Sequence, residues 1–182
     1  MRKRFPVRVV AVALTMIGSL LGGIALAPAT GSSASWTIVG DAVSANPTNG
    51  ANHPDIASVG GVPYVTWDDL WEHWQIRVDS LSASDSWSAV GDALTTKVAG
   101  ANADWPSIAD VGGVPYIAWE QSYGGGWRVY VSRPDSGSTS GWSTIGSLPY
   151  YSGDPSIAAV GGLPTSHSGI TTELARSFSS IG

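Results

Sequence analysis

Pro54-Asp-Ile-Ala-Ser-Val-Gly-Gly-Val-Pro-Tyr-Val-Thr-Trp67-Asp68 returns 52 residues later as Pro106-Ser-Ile-Ala-Asp-Val-Gly-Gly-Val-Pro-Tyr-Ile-Ala-Trp119-Glu120. It begins a third time, 49 residues further on, as Pro155-Ser-Ile-Ala-Ala-Val-Gly-Gly-Leu-Pro164. A second motif keeps the same rhythm: Trp36-Thr-Ile-Val-Gly-Asp41, Trp87-Ser-Ala-Val-Gly-Asp92 and Trp142-Ser-Thr-Ile-Gly-Ser147. A period near 50 residues is the length of one kelch-like unit of four strands, whereas helical solenoids run shorter. Gly, Pro, Ser and Trp dominate each unit, and that composition disfavours helix.

Alternation and turn residues place four strands in a unit. In the second unit these are Ser107 to Val111, Pro115 to Trp119, Trp127 to Ser132 and Trp142 to Ile145. Gly112-Gly113 supplies the positive φ of a tight hairpin between the first two. The expected fold is therefore all-β: four-stranded antiparallel meanders of about 50 residues in tandem, the unit of a β-propeller. The units fall near 54–94 and 106–148, with a leading strand at 36–40 and a trailing strand at 155–162. Because the first unit opens on a fourth-strand motif, the start of the chain is placed to complete a neighbouring unit.

An array of this length is an incomplete propeller, since closure needs about four to eight units. After Pro164 the Tyr-x-x-Trp pattern gives way to Thr165–Gly182, a non-repeat tail expected to be disordered. Breakdown in mid-hairpin reads as a truncated or frameshifted array; the alternatives are a ring assembled from several chains, a homo-oligomer, or an open stack with exposed edges.

The N-terminus has the form of an export signal. Arg2, Lys3, Arg4 and Arg8 precede an apolar run from Val9 to Leu26, and Ala27-Pro28-Ala29 offers small residues for cleavage, with Ser32-Ser33-Ala34 a second possible cut. Residues 1–29 are read as a signal peptide and the protein as secreted and extracellular. The competing reading is an uncleaved anchor, because the run approaches the roughly 20 apolar residues that span a bilayer. Without the leader the chain keeps five bases against fourteen acids, a net charge of −9. That balance argues against nucleic acid and anionic lipid as partners. The absence of cysteine excludes disulfides, thiolate metal sites and a Cys nucleophile, and suits a bacterial exporter.

The repeated pattern, with its Trp-Arg-Val-Tyr-Val-Ser third strand, resembles repeats in bacterial secreted propellers of the sialidase and kelch-like kind over residues 36 to about 164. The hairpin Ser132-Arg-Pro-Asp135-Ser-Gly137-Ser-Thr139-Ser-Gly-Trp142 is similar to the sialidase Asp-box, with extra residues inserted. An active sialidase needs three arginines gripping a carboxylate and a Tyr nucleophile with an acid partner. Arg77, Arg128 and Arg133 all lie in or after third strands, and the leading Arg-Ile-Pro motif of that family is absent. The resemblance thus implies a binding or scaffold module, or the remnant of a sialidase-like glycoside hydrolase.

Candidate ligand contacts cluster in the loops between second and third strands. Trp71 and Trp74, and Tyr123 in the second unit, offer aromatic faces for stacking on sugar rings, while Asp68, Asp69, Glu72, His73 and Glu120 could bond hydroxyls. Trp71 has no counterpart in the other units, and Trp105 stands where the other units place His53 and Asp154, so these two are the preferred contacts. Tryptophans that recur in phase (Trp36, Trp87, Trp142, Trp67 and Trp119) are read as core. Asp68 and Glu120 occupy equivalent positions and form a possible carboxylate pair; the plainer reading is a solvated turn. No histidine spacing indicates zinc, and Asp68-Asp69 or Asp135 could reach calcium only outside any complete loop, so no cofactor is expected. Phosphate-loop and Gly-x-Ser-x-Gly nucleophile motifs are also missing.

Overall fold

The computed structural model describes residues 36–44, 48, 50–95, 100–148, 153–167 and 176–177, and the export signal at 1–29 lies outside them. The described residues are all-β and form three antiparallel sheets. The first runs β1 (Ala51–Val59), β2 (Val62–Leu70), β3 (Trp74–Leu81) and β4 (Trp87–Ala89). The second repeats it as β5 (Ala103–Val111), β6 (Val114–Tyr123), β7 (Gly126–Pro134) and β8 (Trp142–Ser147). The third holds β9 (Ser156–Val160), β10 (Leu163–His167) and the two-residue β11 (Arg176–Ser177). Within each sheet neighbours in sequence are neighbours in space, so each is a meander.

The first hairpin of every sheet turns on Gly-Gly, with Val59 opposite Val62, Val111 opposite Val114 and Val160 opposite Leu163. Both glycines of each pair have φ between 56° and 86°, open only to residues without a Cβ penalty. The strands are longer than the alternation implied. β1 and β5 start three residues before the repeat proline, because a bulge between Asn52 and Asp55, and again between Asp104 and Ser107, absorbs the proline without ending the ladder.

The first strands of successive sheets pack side by side, β1 on β5 and β5 on β9. One core lies between the first two sheets, with Ile76, Val78 and Leu94 against Ile108, Ile117, Trp119 and Trp142. A second lies between the second sheet and the third, with Ala109, Val111, Tyr116, Ala118 and Val131 against Ile157. Alternation on β6 decides this: Ile117 and Trp119 face back, Tyr116 and Ala118 face forward. Being covered on both faces, β2 is buried from Val65 to Asp69 and β6 from Pro115 to Gln121.

Three expectations need correction. Residues 36–40 form no strand, and they lie beside β4, where the Val39 carbonyl accepts the Trp87 indole N–H at 3.2 Å. Trp36 is correspondingly exposed rather than core, whereas Trp67, Trp119 and Trp142 are buried and Trp87 is half-buried. The tail is ordered at its start: Thr165–His167 extend β10 opposite Ser156–Ala158, and Arg176–Ser177 pair with it from the other side. A backbone ladder needs no Tyr-x-x-Trp pattern, which is why the strand outlasts the motif.

Candidate functional site

Immediately before each repeat proline stands a residue in the left-handed region: His53 at φ 46°, Trp105 at 54° and Asp154 at 49°. For a residue with a Cβ this costs about 1–2 kcal/mol, and its recurrence at one repeat position marks it as built into the unit. In the first two units the bulge turns the His53 and Trp105 side chains out of the strand alternation, at the end of the array where first strands begin and second strands finish. His53 and Trp105 meet there from adjacent sheets, ring centroids 3.7 Å apart and stacked.

Acids lie beneath and beside that stack. Asp68 is fully buried at the end of β2, and its Oδ1 is 2.7 Å from His53 Nδ1. Asp104 faces Glu120 across the β5–β6 ladder, and a Glu120 carboxylate oxygen accepts the Asp154 backbone N–H at 3.2 Å. Burial pushes the Asp68 carboxyl above the usual range against the bond and charge of His53. Burial likewise raises Asp104 to about 6, with the Asp68 charge adding and His53 opposing. Glu120 is raised furthest, to about 7: burial dominates, the Asp154 N–H opposes it, and the Asp154 and Asp104 charges add to it. At neutral pH Glu120 is thus poised between donor and acceptor.

Aromatic surface surrounds this acid group. Trp71, at the tip of the β2–β3 connection, is 55 % exposed, and Trp105, Tyr123 and Trp127 are exposed at the same end of the array. Tyr123 lies under the Arg128 guanidinium at 4.7 Å. Between the Tyr123–Trp127 turn and Gly100–Ala101 runs an open groove of about 380 Å³.

Of the residues singled out in the sequence, Trp105, Asp68 and Glu120 meet in one neighbourhood, while Trp71 and Tyr123 stand at turns on the same end. Trp74 is different: half-buried, its ring packs where a Cβ on Gly50 would stand, 2.8 Å away, and its backbone N–H donates to the Asn102 side-chain oxygen at 3.1 Å. Asp69 is buried and accepts from Ser44 at 3.3 Å, so it serves the fold. The solvated-turn reading of Asp68 and Glu120 is wrong, because β2 and β6 continue past them and the neighbouring first strand covers them. His53, Asp104 and Asp154 were missed as site residues. The available signal was the position before the proline, which reads His, Trp and Asp between nearly constant flanks. Among the described residues no three His, Asp or Glu side chains converge so as to hold a metal ion.

The chain matches no model of a known protein family and no curated protein, so its own geometry has to carry the functional reading.

Proposed function

We propose that this chain is a secreted, propeller-type binding module that takes a glycan or cell-wall polymer on the end of the array bearing the His53–Trp105 stack. The side-by-side first strands suit the inner ring of a propeller, and the loop end beside such a ring is a common place for ligands. One observation carries the reading. Four exposed aromatic rings, Trp71, Trp105, Tyr123 and Trp127, share one end of the array with the acids Asp104 and Glu120. Flat apolar faces for the sugar ring and carboxyl groups for its hydroxyls are the two chemistries a carbohydrate site needs.

Binding to immobilised polysaccharides and to insoluble peptidoglycan tests it. Trp71→Ala and Trp105→Ala should each weaken retention at least tenfold with the melting temperature unchanged. No retention on any polymer, or retention indifferent to both substitutions, would sink the proposal.

A remnant hydrolase is the second reading, favoured by the high pKa of Glu120, which would suit a general acid. Against the sialidase version, Arg77 stands on β3 and Arg128 and Arg133 on β7, so no first strand offers an arginine. Release of 4-methylumbelliferone from a panel of glycosides, abolished by Glu120→Gln, would favour this reading over simple binding.

A further inference from the structure

The end of the array that carries the His53–Trp105 stack holds more negative charge than the chain offsets. Asp68, Asp104, Glu120 and Asp154 come from three successive units and lie close enough to act on one another. The Asp68 charge raises Asp104, and the Asp154 and Asp104 charges raise Glu120. Of the described residues, His53 is the one base whose charge reaches Asp104 and Glu120, and its Nδ1 is already held by Asp68 at 2.7 Å. The arginines of the two full sheets stand on third strands, Arg77 on β3 and Arg128 and Arg133 on β7. Acids gathered between sheets without counter-charges must lose hydration or keep their protons, and neither stabilises the ionised group.

A second observation is independent of that crowding. Asp68 is fully buried, yet its Oδ2 accepts no hydrogen bond among the described residues, and the only cation acting on the carboxyl is His53. Buried acceptors are ordinarily satisfied. Here the charge is instead felt by Asp104, which is only half-buried and stands next to the exposed Trp105. The Trp105 ring stacks on His53 at 3.7 Å and the residue remains 44 % exposed. An aromatic face beside carboxylates is the setting an ammonium group takes, with the cation over the ring and the anions at its hydrogens. Hydroxyls alone are served as well by amide and hydroxyl side chains, whose burial sets no charge against another. A surplus of carboxyl groups therefore selects a cation, and the net charge of −5 draws one in.

We propose that the polymer bound at this end is a polysaccharide bearing free amino groups, a de-N-acetylated hexosamine chain, with one sugar ring on the Trp105 face and its ammonium group directed to Asp104, Glu120 and Asp154. This rests on the glycan reading above and names its substrate class. A saccharide fits better than a basic peptide because further flat rings follow on the same end of the array, Tyr123 and Trp127 lining the open groove. The bound cation supplies the charge that the chain withholds. Its arrival favours the ionised acids, so binding expels protons that Asp104 and Glu120 hold in the free protein.

Titration calorimetry with three hexamers of one backbone tests this: glucosamine with free amines, the fully N-acetylated form, and the N-trimethylated form, whose charge is fixed at every pH. The two cationic hexamers should bind about tenfold tighter than the acetylated one at low salt, and the preference should shrink as salt is added. Asp104→Asn combined with Glu120→Gln should bring the cationic hexamers level with the acetylated one, the melting temperature confirming the fold. Affinity for the trimethylated hexamer should rise from pH 5 to pH 8, with protons released on binding in between; a flat profile without release would overturn the assignment of these acids. Equal or tighter binding of the acetylated hexamer would overturn the amine while leaving the glycan reading standing. Hexalysine bound as tightly as the free-amine hexamer would also overturn it, because charge alone would then be read. Affinity for none of the three hexamers overturns the inference, and the glycan reading with it if retention on polysaccharides is also blank.

Discussion

Glu120 lies three residues before the end of β6 with its carboxyl enclosed between two sheets, and its proton is held mainly by that enclosure. Folding lifts Glu120 from 4.5 to about 7 and Asp104 from 3.8 to about 6, so the folded chain keeps protons that the unfolded chain would release. Their contribution to stability is full at a pH below the unfolded values and is lost as pH rises through the folded ones. The melting temperature should accordingly fall between pH 5 and pH 8, and Glu120→Gln should flatten that fall; a melting temperature that rises with pH would contradict the burial of both acids. Trp119 is a plainer case. Fully buried and stacked on Tyr130 with centroids 5.2 Å apart, it should cost about 3–5 kcal/mol on substitution by Ala, read from urea denaturation. Tryptophan burial was legible from phase alone at Trp67, Trp119 and Trp142, because a residue repeated with the unit occupies a repeated environment. Trp36 shares the phase but is exposed among the described residues, and phase carries no information about edges. The acids were misjudged for a related reason: a carboxylate after a strand motif looks like a turn, and only the neighbouring sheet closes over it.

The Trp-Ser-x-Val-Gly element shows how short motifs act between units. Gly91 has φ 68°, and a Cβ there would stand 2.6 Å from the Trp142 Nε1. Gly112 also has a positive φ, 64°, but meets nothing within 4 Å. Gly112→Ala should thus cost about 1–2 kcal/mol of backbone strain. Gly91→Ala adds displacement of the Trp142 ring, a further loss on the order of 1–3 kcal/mol for overpacking. Equal denaturation midpoints for the two variants would show that the indole is not held against Gly91. The Gly112-Gly113 hairpin and all four strands of the second unit were legible, since Gly-Gly and period-two alternation are local signals. The bulge at His53 and Trp105 was not: it departs from alternation, and a proline in a run reads as a strand start when Pro54 and Pro106 lie inside one.

At the scale of the molecule, the period near 50 residues announced the two four-stranded sheets and the first strand of a third, while the way they meet depends on contacts some 50 residues apart that no local pattern encodes. The candidate site was half legible for the same reason of scale: its loop aromatics belong to single units, but the His53–Trp105 stack exists only across two. One further consequence lies in the joint between Trp142 and Gly91. Because it repeats the joint between Trp87 and Gly40, with the indole donating to the Val90 carbonyl in one and to the Val39 carbonyl in the other, a gene duplication or deletion of one whole unit would leave each remaining interface of this kind intact. Such a chain can lengthen or shorten by recombination without any compensating substitution, and its ligand-facing positions before each proline are then free to diverge unit by unit.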